Sequence, residues 1–341
     1  MPERPRLTAP MADVRRAVRE ALLDAQLSPD DLVLVAVSGG SDSLALAAAV
    51  SFEAPRQSLR AQVVVIDHGL QVGSDKIAQL AAERCRGLGL DATVSKVQVR
   101  SGGDGLEAEA RTARYKELER VRAELGAALV VLGHSLDDQA ETVLLGLTRG
   151  SGLRSISGMS ILDSEKRLLR PMLGLEREVI RQSLIDQGIE FWDDPHNQDP
   201  RFTRVRIREL LKDIERELGP GVSRAMAKTA DIASLAEDFL EGAASQLERA
   251  ARLSSKARSQ HYDAKMLAAS HPALLNQTIR LIALKVGARN LKFDQVQSIS
   301  ELLTNWHGQK SITLSGITVG RENNELVFQT NKPPTSGASC S

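Results

Sequence analysis

At 341 residues the chain has length for two domains, and a 42% hydrophobic share supplies a sizeable core. Lys plus Arg and Asp plus Glu both number 44, so no global charge draws the chain to a polyanion, and an aromatic share of 3% argues against binding single strands by base stacking. Cys85 and Cys340 form no C-x-x-C pair, which excludes a zinc ribbon and an iron–sulfur site; with no apolar run near the ~20 residues of a membrane span and no apolar signal core after Met1, a cytoplasmic protein is expected.

The charge is unevenly spread. Residues 1–215 carry 29 basic and 33 acidic side chains, and residues 216–341 carry 15 and 11, a sign that suits a C-terminal domain meeting a polyanion.

Residues 1–10 read as a Pro-rich arm and 12–27 as an amphipathic helix. From Leu32 the pattern alternates, with strands expected at 32–37, 61–66, 92–99, 127–132 and 167–170 and helices at 43–51, 75–88, 106–125, 136–148 and 175–188. Such units predict an α/β fold, a doubly wound five-stranded parallel sheet with ligands at the carboxyl ends of its strands. Residues 189–208 read as a loop, 207–218 as a helix, Gly219-Pro220-Gly221 as a break, and 222–253 as one long Ala-rich helical spacer. Helices near 272–286 and 294–303, then β-like runs at 311–314, 317–319 and 326–329, predict a small α+β C-terminal domain. The expected division is 1–27, 28–218, 219–253, 254–332 and a disordered tail at 333–341, with no internal repeat.

The first strand ends in Ser38-Gly39-Gly40-Ser41-Asp42-Ser43. Two glycines admit φ > 0 and close ligand approach, and hydroxyls with unpaired helix N–H groups make an anion site, most simply for phosphate. No G-x-x-x-x-G-K-[ST] occurs, so this is not a Walker loop. Asp42 would repel phosphates unless a cation intervenes, and a bound Mg²⁺ on Asp42 is inferred. The loop resembles the S-G-G-x-D-S loop of the N-type ATP pyrophosphatases, which implies ATP, held also by Gly39 and Gly40, and adenylation with release of pyrophosphate.

Four further stretches carry candidates. Asp67-His68-Gly69-Leu70 closes the second strand, where an adenosine would rest; from chemistry alone it reads equally as a strand-terminating turn. In the 106–125 helix, Glu107 and Arg111 suit a helical ion pair worth ~0.3–0.5 kcal/mol, yet Arg111 and Arg114 share a face near the helix start, where the dipole disfavours cations. That placement favours a phosphate or nucleic-acid contact. Gly133-His134-Ser135-Leu136-Asp137-Asp138-Gln139-Ala140-Glu141 contains a capping pair, Ser135 and Asp138, but capping does not explain three acids within one turn. Asp137 and Glu141, at i and i+4, repel unless a cation, Mg²⁺ or an amine, lies between them. Finally, Trp192-Asp193-Asp194-Pro195-His196-Asn197 precedes Arg201, Arg204, Arg206 and Arg208, arginines suited to bidentate anion binding.

Together these motifs, with Arg149-Gly150-Ser151-Gly152-Leu153 and Arg170-Pro171, resemble the tRNA(Ile)-lysidine synthetases over most of residues 32–208. The resemblance implies an adenine nucleotide alpha hydrolase-like fold and a ligase. The ligase would adenylate the wobble cytidine of the CAU-anticodon isoleucine tRNA with ATP and Mg²⁺, then join L-lysine to it and release AMP. In that reading Ser38 to Ser43, Asp67, His68, Gly133 and His134 bind ATP. Asp137, Asp138 and Glu141 hold or deprotonate lysine, and Arg206 or Arg208 grips its carboxylate or the AMP phosphate. Arg111, Arg114, Asn197 and Arg204 contact tRNA or lysine, and the C-terminal domain docks the tRNA body. Gln71, His196 and Val205 depart from the family pattern (commonly Arg, Ser or Thr, and Asn). The alternatives are a tRNA thiolation enzyme, an amidating relative, or a non-catalytic ATP-binding regulator; the oligomeric state, a homodimer included, stays open.

Overall fold

The computed structural model describes residues 7–69, 73–97, 106–150, 152–193, 199–256, 258–289 and 291–331. The expectation on Asn197, the departures at Gln71 and His196, and the tail at 333–341 lie outside them. The chain divides into two compact units, Met1–Thr148 with Gly158–Ala230, and Arg149–Ser157 with Asp231–Ser341.

The first unit opens with α1 (Ala9–Asp24), then β1 (Leu32–Val37), α2 (Ser41–Glu53), β2 (Arg60–Asp67), α3 (Ser74–Gly87) and β3 (Asp91–Lys96). It continues through α4 (Leu106–Glu124), β4 (Leu129–Val131) and α5 (Leu136–Arg149). The short α6 (Leu153–Ile156) belongs to the second unit; β5 (Leu162–Asp163), β6 (Leu168–Leu169), α7 (Arg177–Ile185) and α8 (Thr203–Leu218) return to the first.

β1 is buried on both faces, and its residues alternate between two cores. Val33, Val35 and Val37 pack with α1, α2 and α7 residues such as Val18, Leu44 and Ile180, while Leu34 packs with Leu118 and Val121 of α4. This is the reason its sequence is continuously apolar rather than alternating. The sheet order is β3-β2-β1-β4-β6-β5. Those first five pair in parallel and β5 pairs antiparallel with β6. Chain order therefore reverses between β1 and β4, and the crevice at their carboxyl ends is the ligand position of such sheets. The five expected parallel strands are present, β4 and β6 shorter than expected. β5 was not foreseen, since it is a two-residue arm of a polar turn in which the Lys166 N–H donates to Asp163 at 3.0 Å.

Two sequence readings shift in register. α8 begins at Thr203, four residues before the expected helix, so Arg204, Arg206 and Arg208 lie on a helix and not in a loop. α7 begins at Arg177, two residues later than expected. Among the described residues no helix is long and apolar enough to cross a membrane.

The helix α9 (Val222–Ala251) belongs to the first unit up to Ala230 and to the second beyond it. The second unit adds β7 (Arg252–Ser255), β8 (Ser259–Asp263), α10 (Ala264–Ala268), α11 (Pro272–Val286), α12 (Phe293–Thr304), β9 (Ile312–Leu314), β10 (Ile317–Glu322) and β11 (Glu325–Thr330). Its sheet runs β7-β8-β11-β10-β9, antiparallel throughout. β7 and β8 carry polar sequences without apolar alternation, and sheet pairing rather than local preference makes them strands, β8 against β11 and β7 against β8.

Buried Glu248 organises this core. It accepts hydrogen bonds from Tyr262 Oη at 2.9 Å, Lys285 Nζ at 3.1 Å and the Arg252 guanidinium; the Tyr262 ring meets Phe328 edge-on at 5.9 Å. Burial pushes the Glu248 pKa up, but the hydrogen bonds from Arg252, Tyr262 and Lys285 outweigh it and hold the carboxyl below its ordinary value. Its contribution to stability is then full above the unfolded pKa of about 4.3 and is lost as pH falls through the folded value. Glu248→Ala should destabilise the second unit by about 2 kcal/mol at neutral pH, with the deficit shrinking in acid. Urea unfolding followed by Trp306 emission in a Trp192→Phe background measures it; an unchanged midpoint at pH 7 would remove the network from the stability of this unit.

Candidate active site

The site forms where three helix starts converge. α2 begins directly after the turn that follows β1, with Gly39 at φ +89° and Gly40 as its N-cap. The turn is closed by Ser43, whose hydroxyl donates to the Gly40 carbonyl at 3.0 Å and accepts the Ser38 N–H at 3.1 Å. Ser43 thus shapes the loop from behind, while Ser38 is exposed and the Ser41 hydroxyl donates to Asp42 at 3.0 Å. Gly133, at the end of β4, abuts this turn: a Cβ there would stand 3.1 Å from the Asp42 carbonyl oxygen. Only glycine lets β4 deliver α5 so close to the start of α2.

At the start of α5, Ser135 and Asp138 form the expected cap, in which Asp138 Oδ2 accepts the Ser135 N–H at 2.9 Å and hydroxyl at 3.0 Å. Capping uses one oxygen of one acid. Asp138 Oδ1 accepts from Arg177 Nη2 at 2.8 Å, Asp42 Oδ2 from Arg177 Nε at 3.1 Å, and Glu141 Oε1 lies 3.8 Å from Arg177 Nη1. One guanidinium therefore faces three carboxylates. Glu141 Oε1 also accepts from Arg208 Nε at 2.9 Å, and its Oε2 is buried without a partner. Asp137 takes a different part, accepting the Arg177 backbone N–H at 2.8 Å, which caps α7 and fixes the residue that carries the guanidinium.

The charges tune one another. Burial, and then the neighbouring Asp138, raise the pKa of Glu141. Burial likewise raises that of Asp42 against the pull of Arg177. Burial pushes Asp138 up as well, but Arg177, His134 and the Ser135 N–H together bring it below its ordinary value. Against these three carboxylates stand two guanidiniums, Arg177 and Arg208, so the ionised cluster retains an excess negative charge.

The other side of the site is basic. Arg111 and Arg114 place their guanidiniums 5.1 and 5.5 Å from the Tyr115 ring centroid. Buried Arg170 donates from Nη1 to the Ser160 carbonyl at 2.8 Å. The Nε atoms of Arg114 and Arg170 are buried without hydrogen-bond partners. Among the described residues Arg111, Arg114 and Arg170 make no ion pair with a carboxylate, and Arg204 adds its charge to both Arg111 and Asp138. His134 lies between the two poles: burial, then Arg114, Arg170 and Arg111, lower its pKa against Asp138, so the ring is neutral. Burial and Arg114 do the same to His68, and both histidines have a buried Nδ1 without a partner. Asp67 instead satisfies itself at the strand end, accepting the Gly69 N–H at 3.0 Å.

The structure thus brings together Asp42, Asp138, Glu141 and Arg208, and separately Arg111, Arg114 and His134. It does not bring Arg206 to either group. Arg206 is exposed and donates to the Pro200 and Arg201 carbonyls at 2.8 and 3.0 Å. Arg204 and Arg208 are four apart on α8, whereas Arg206 is turned by about 200° from Arg204. Arg177 was missed, and Arg170, named only within the Arg170-Pro171 motif, was given no role. Arg177 had a signal: a cation on the first turn of a helix opposes the dipole, the argument that singled out Arg111 and Arg114.

Among the described residues no group of three or more His, Cys, Asp or Glu side chains makes a metal cage by itself. Asp42 Oδ2 and Asp138 Oδ1 both face Arg177, at 3.1 and 2.8 Å, whereas Asp42 Oδ1 accepts only the Ser41 hydroxyl among the described residues, and that carboxylate oxygen is a hard donor of the kind that fits a Mg²⁺.

A PP-loop domain model matches residues 11–214 and a TilS substrate binding domain model matches residues 263–327. A tRNA(Ile)-lysidine synthase from Leifsonia xyli is 46% identical over 89% of this chain and 91% of its own. The Streptomyces coelicolor enzyme of that name is 44% identical over 85% and 82%, and that of Thermobifida fusca 44% over 94% and 97%. Among solved structures, the U34-tRNA thiolase NcsA from Methanococcus maripaludis is similar in fold, with a TM-score of 0.54 at 17% identity over 65% of this chain and 78% of that one.

Removing the shared guanidinium leaves three buried or half-buried carboxylates facing one another. Arg177→Ala should therefore cost about 3 kcal/mol of stability, and Arg177→Lys should recover only part of it, because one ammonium cannot meet three acids in the plane of a fork. Denaturant midpoints decide this; wild-type stability in Arg177→Ala would show that the acids are not held by that residue.

Proposed function

The chain belongs to the tRNA(Ile)-lysidine synthase family, ATP-dependent PP-loop enzymes that form lysidine on tRNA(Ile), and on that footing we propose how its residues divide the reaction. The observation that carries the reading is the pair of poles on either side of neutral His134: an acid cluster with excess negative charge, and arginines with buried unpartnered nitrogens. Joining an amine to an adenylated base needs both, a cation pole for phosphate and an anion pole for ammonium.

The turn at Ser38–Ser43 and the N–H groups opening α2 bind the ATP phosphates. Asp42 would hold Mg²⁺ brought with ATP, which would neutralise the departing pyrophosphate. Arg111, Arg114 and Arg170 stabilise negative charge at the α-phosphate and on the base, and the Nε donors of Arg114 and Arg170 have no competing partner to give up. His134, uncharged and buried, orients the base or the adenylate by hydrogen bonding. Glu141 and Asp138 hold the ε-ammonium of L-lysine and take its proton before attack on the activated carbon of the wobble cytidine, AMP leaving. Arg208, fixed by Glu141, meets the lysine carboxylate, and Arg204 meets tRNA. The 263–327 domain docks the tRNA body, and the protein works in the cytoplasm. A thiolation chemistry would want an accessible thiol, whereas Cys85, the one cysteine among the described residues, lies in the hydrophobic core with its pKa pushed up to about 11.

Pyrophosphate release from Mg²⁺-ATP, with transcripts bearing CAU or CAC anticodons and with or without lysine, tests this. Turnover should require the CAU transcript, with lysine incorporated into it, and Asp138→Asn should lower kcat/KM for lysine by about 100-fold. Release indifferent to lysine and tRNA, or full turnover in Asp138→Asn, would overturn the assignment. The raised pKa of Glu141 adds a second expectation. Because the ammonium site needs its ionised form, the acidic limb of kcat/KM for lysine should lie above the ordinary glutamate value of about 4.3; a limb at or below that value would remove Glu141 from lysine binding. A chain truncated after Leu218 should lose tRNA affinity, and retention of full affinity would remove the C-terminal domain from tRNA docking.

A further inference from the structure

Residues 191–193 lie along the glycine turn. The Trp192 N–H donates to the Gly39 carbonyl at 3.1 Å, and the Trp192 carbonyl oxygen stands 3.9 Å from where a Cβ on Gly40 would be. One side chain of α7 grips this stretch on both sides of Trp192. Arg181 makes two hydrogen bonds of 3.0 Å to the Asp193 carboxylate, one from each terminal nitrogen. Its guanidinium also lies 4.5 Å from the centroid of Phe191, which packs on the core beneath the sheet. A bidentate pair fixes orientation as well as distance, and the aromatic face adds to the hold.

What that grip does follows from peptide geometry. A trans peptide is planar, with its C=O and N–H opposed, and every described peptide is trans. Drawing the Gly39 carbonyl toward Trp192 therefore turns the next N–H, that of Gly40, to the opposite side. Gly40 is the N-cap of α2, so this N–H adjoins the opening N–H groups that no intrahelical acceptor uses. A peptide between two glycines rotates with little steric resistance, and its orientation must be imposed by a neighbour.

We propose that Arg181 is a positioning residue for the phosphate loop: by clamping residues 191–193 it keeps the Gly39–Gly40 peptide turned with its N–H toward the ATP phosphates. The proposal rests on the reading of this loop as the ATP-phosphate site and adds a residue that touches no substrate. Both partners of the clamp are surface-exposed enough for substitution without loss of the fold, with Arg181 37% and Asp193 65% exposed.

The test uses the full chain in a Trp306→Phe background, leaving Trp192 as the sole tryptophan. Arg181→Ala and Asp193→Ala are each compared for KM of ATP, KM of lysine and kcat in pyrophosphate release, and for the Trp192 emission change on adding Mg²⁺-ATP. Both should raise the KM for ATP about tenfold, the order of a lost charge-assisted hydrogen bond, with kcat and the KM for lysine little changed and the emission change reduced. Arg181→Lys, which keeps the charge but not the fork, should recover only part of the affinity. Asp193→Ala is the deciding arm. Removing a negative charge near the phosphates would tighten ATP binding if only charge mattered, whereas loss of the clamp weakens it. An unchanged or lowered KM for ATP in Asp193→Ala would overturn the proposal, as would equal losses in kcat and in both KM values. If the wild type released no pyrophosphate with the CAU transcript, the substrate reading would fail instead, and the Trp192 titration with ATP would still decide the clamp.

Discussion

In the first unit three helices, α2, α5 and α7, meet where one guanidinium sits among three carboxylates. Arg177 meets Asp42, Asp138 and Glu141 through different nitrogens, and each of these residues is placed by a helix start or the turn after it. Asp42 lies in the first turn of α2 and Asp138 in the first turn of α5, positions where the helix dipole favours an anion. Arg177 opens α7, where the dipole opposes a cation. The unfavourable placement is offset by the acids and by Asp137, which caps α7 at the same residue. The three helices are consequently fixed relative to one another by electrostatics at their N-termini, while their apolar faces are fixed by the sheet.

The sheet makes such convergence feasible. A reversal of chain order between β1 and β4 leaves a crevice at their carboxyl ends. The small side chains of α2, with Leu44 to Val50 all buried, let the helix settle deep against the strands. Gly133 removes the last obstacle between β4 and the start of α2. Enlarging any of these contacts would move Asp42 and Asp138 apart by the width of a methyl group, enough to break a shared hydrogen-bonding geometry.

The parts legible in the sequence are those set by local pattern. A strand buried on both faces must be continuously apolar, and two glycines crowded by four polar side chains before an Ala-rich helix exceed what a capped turn needs and read as an anion site. What escaped depends on pairing or register. β8 is a strand because β11 accepts it, β7 because β8 in turn accepts it, and β5 because a polar turn folds back on β6. The arginine run was visible as a composition but not as a geometry. Only when α8 is known to start at Thr203 do Arg204 and Arg208 share a face, leaving Arg206 with the carbonyls of its own loop. Three serine hydroxyls beside two glycines look equivalent in sequence; the structure turns Ser43 inward to close the loop, because its hydroxyl is the one within reach of both Ser38 and Gly40. Arg177 was the costliest omission, since a helix-opening arginine looks like any exposed cation until its acids arrive from residues 135 and 39 positions earlier.

The separation of the acid and arginine poles also explains why His134 must be neutral. A charged imidazole between them would pair with Asp138 and cancel the negative excess available to an ammonium, while repelling Arg111, Arg114 and Arg170. Burial and those three arginines prevent protonation, so the ring contributes a hydrogen bond without contributing charge. The two poles then remain electrically distinct. In the reaction proposed above, one would receive phosphate oxygens while the other holds the amine, so that neither charge is neutralised by the wrong partner before the amine bonds to the base carbon and AMP leaves.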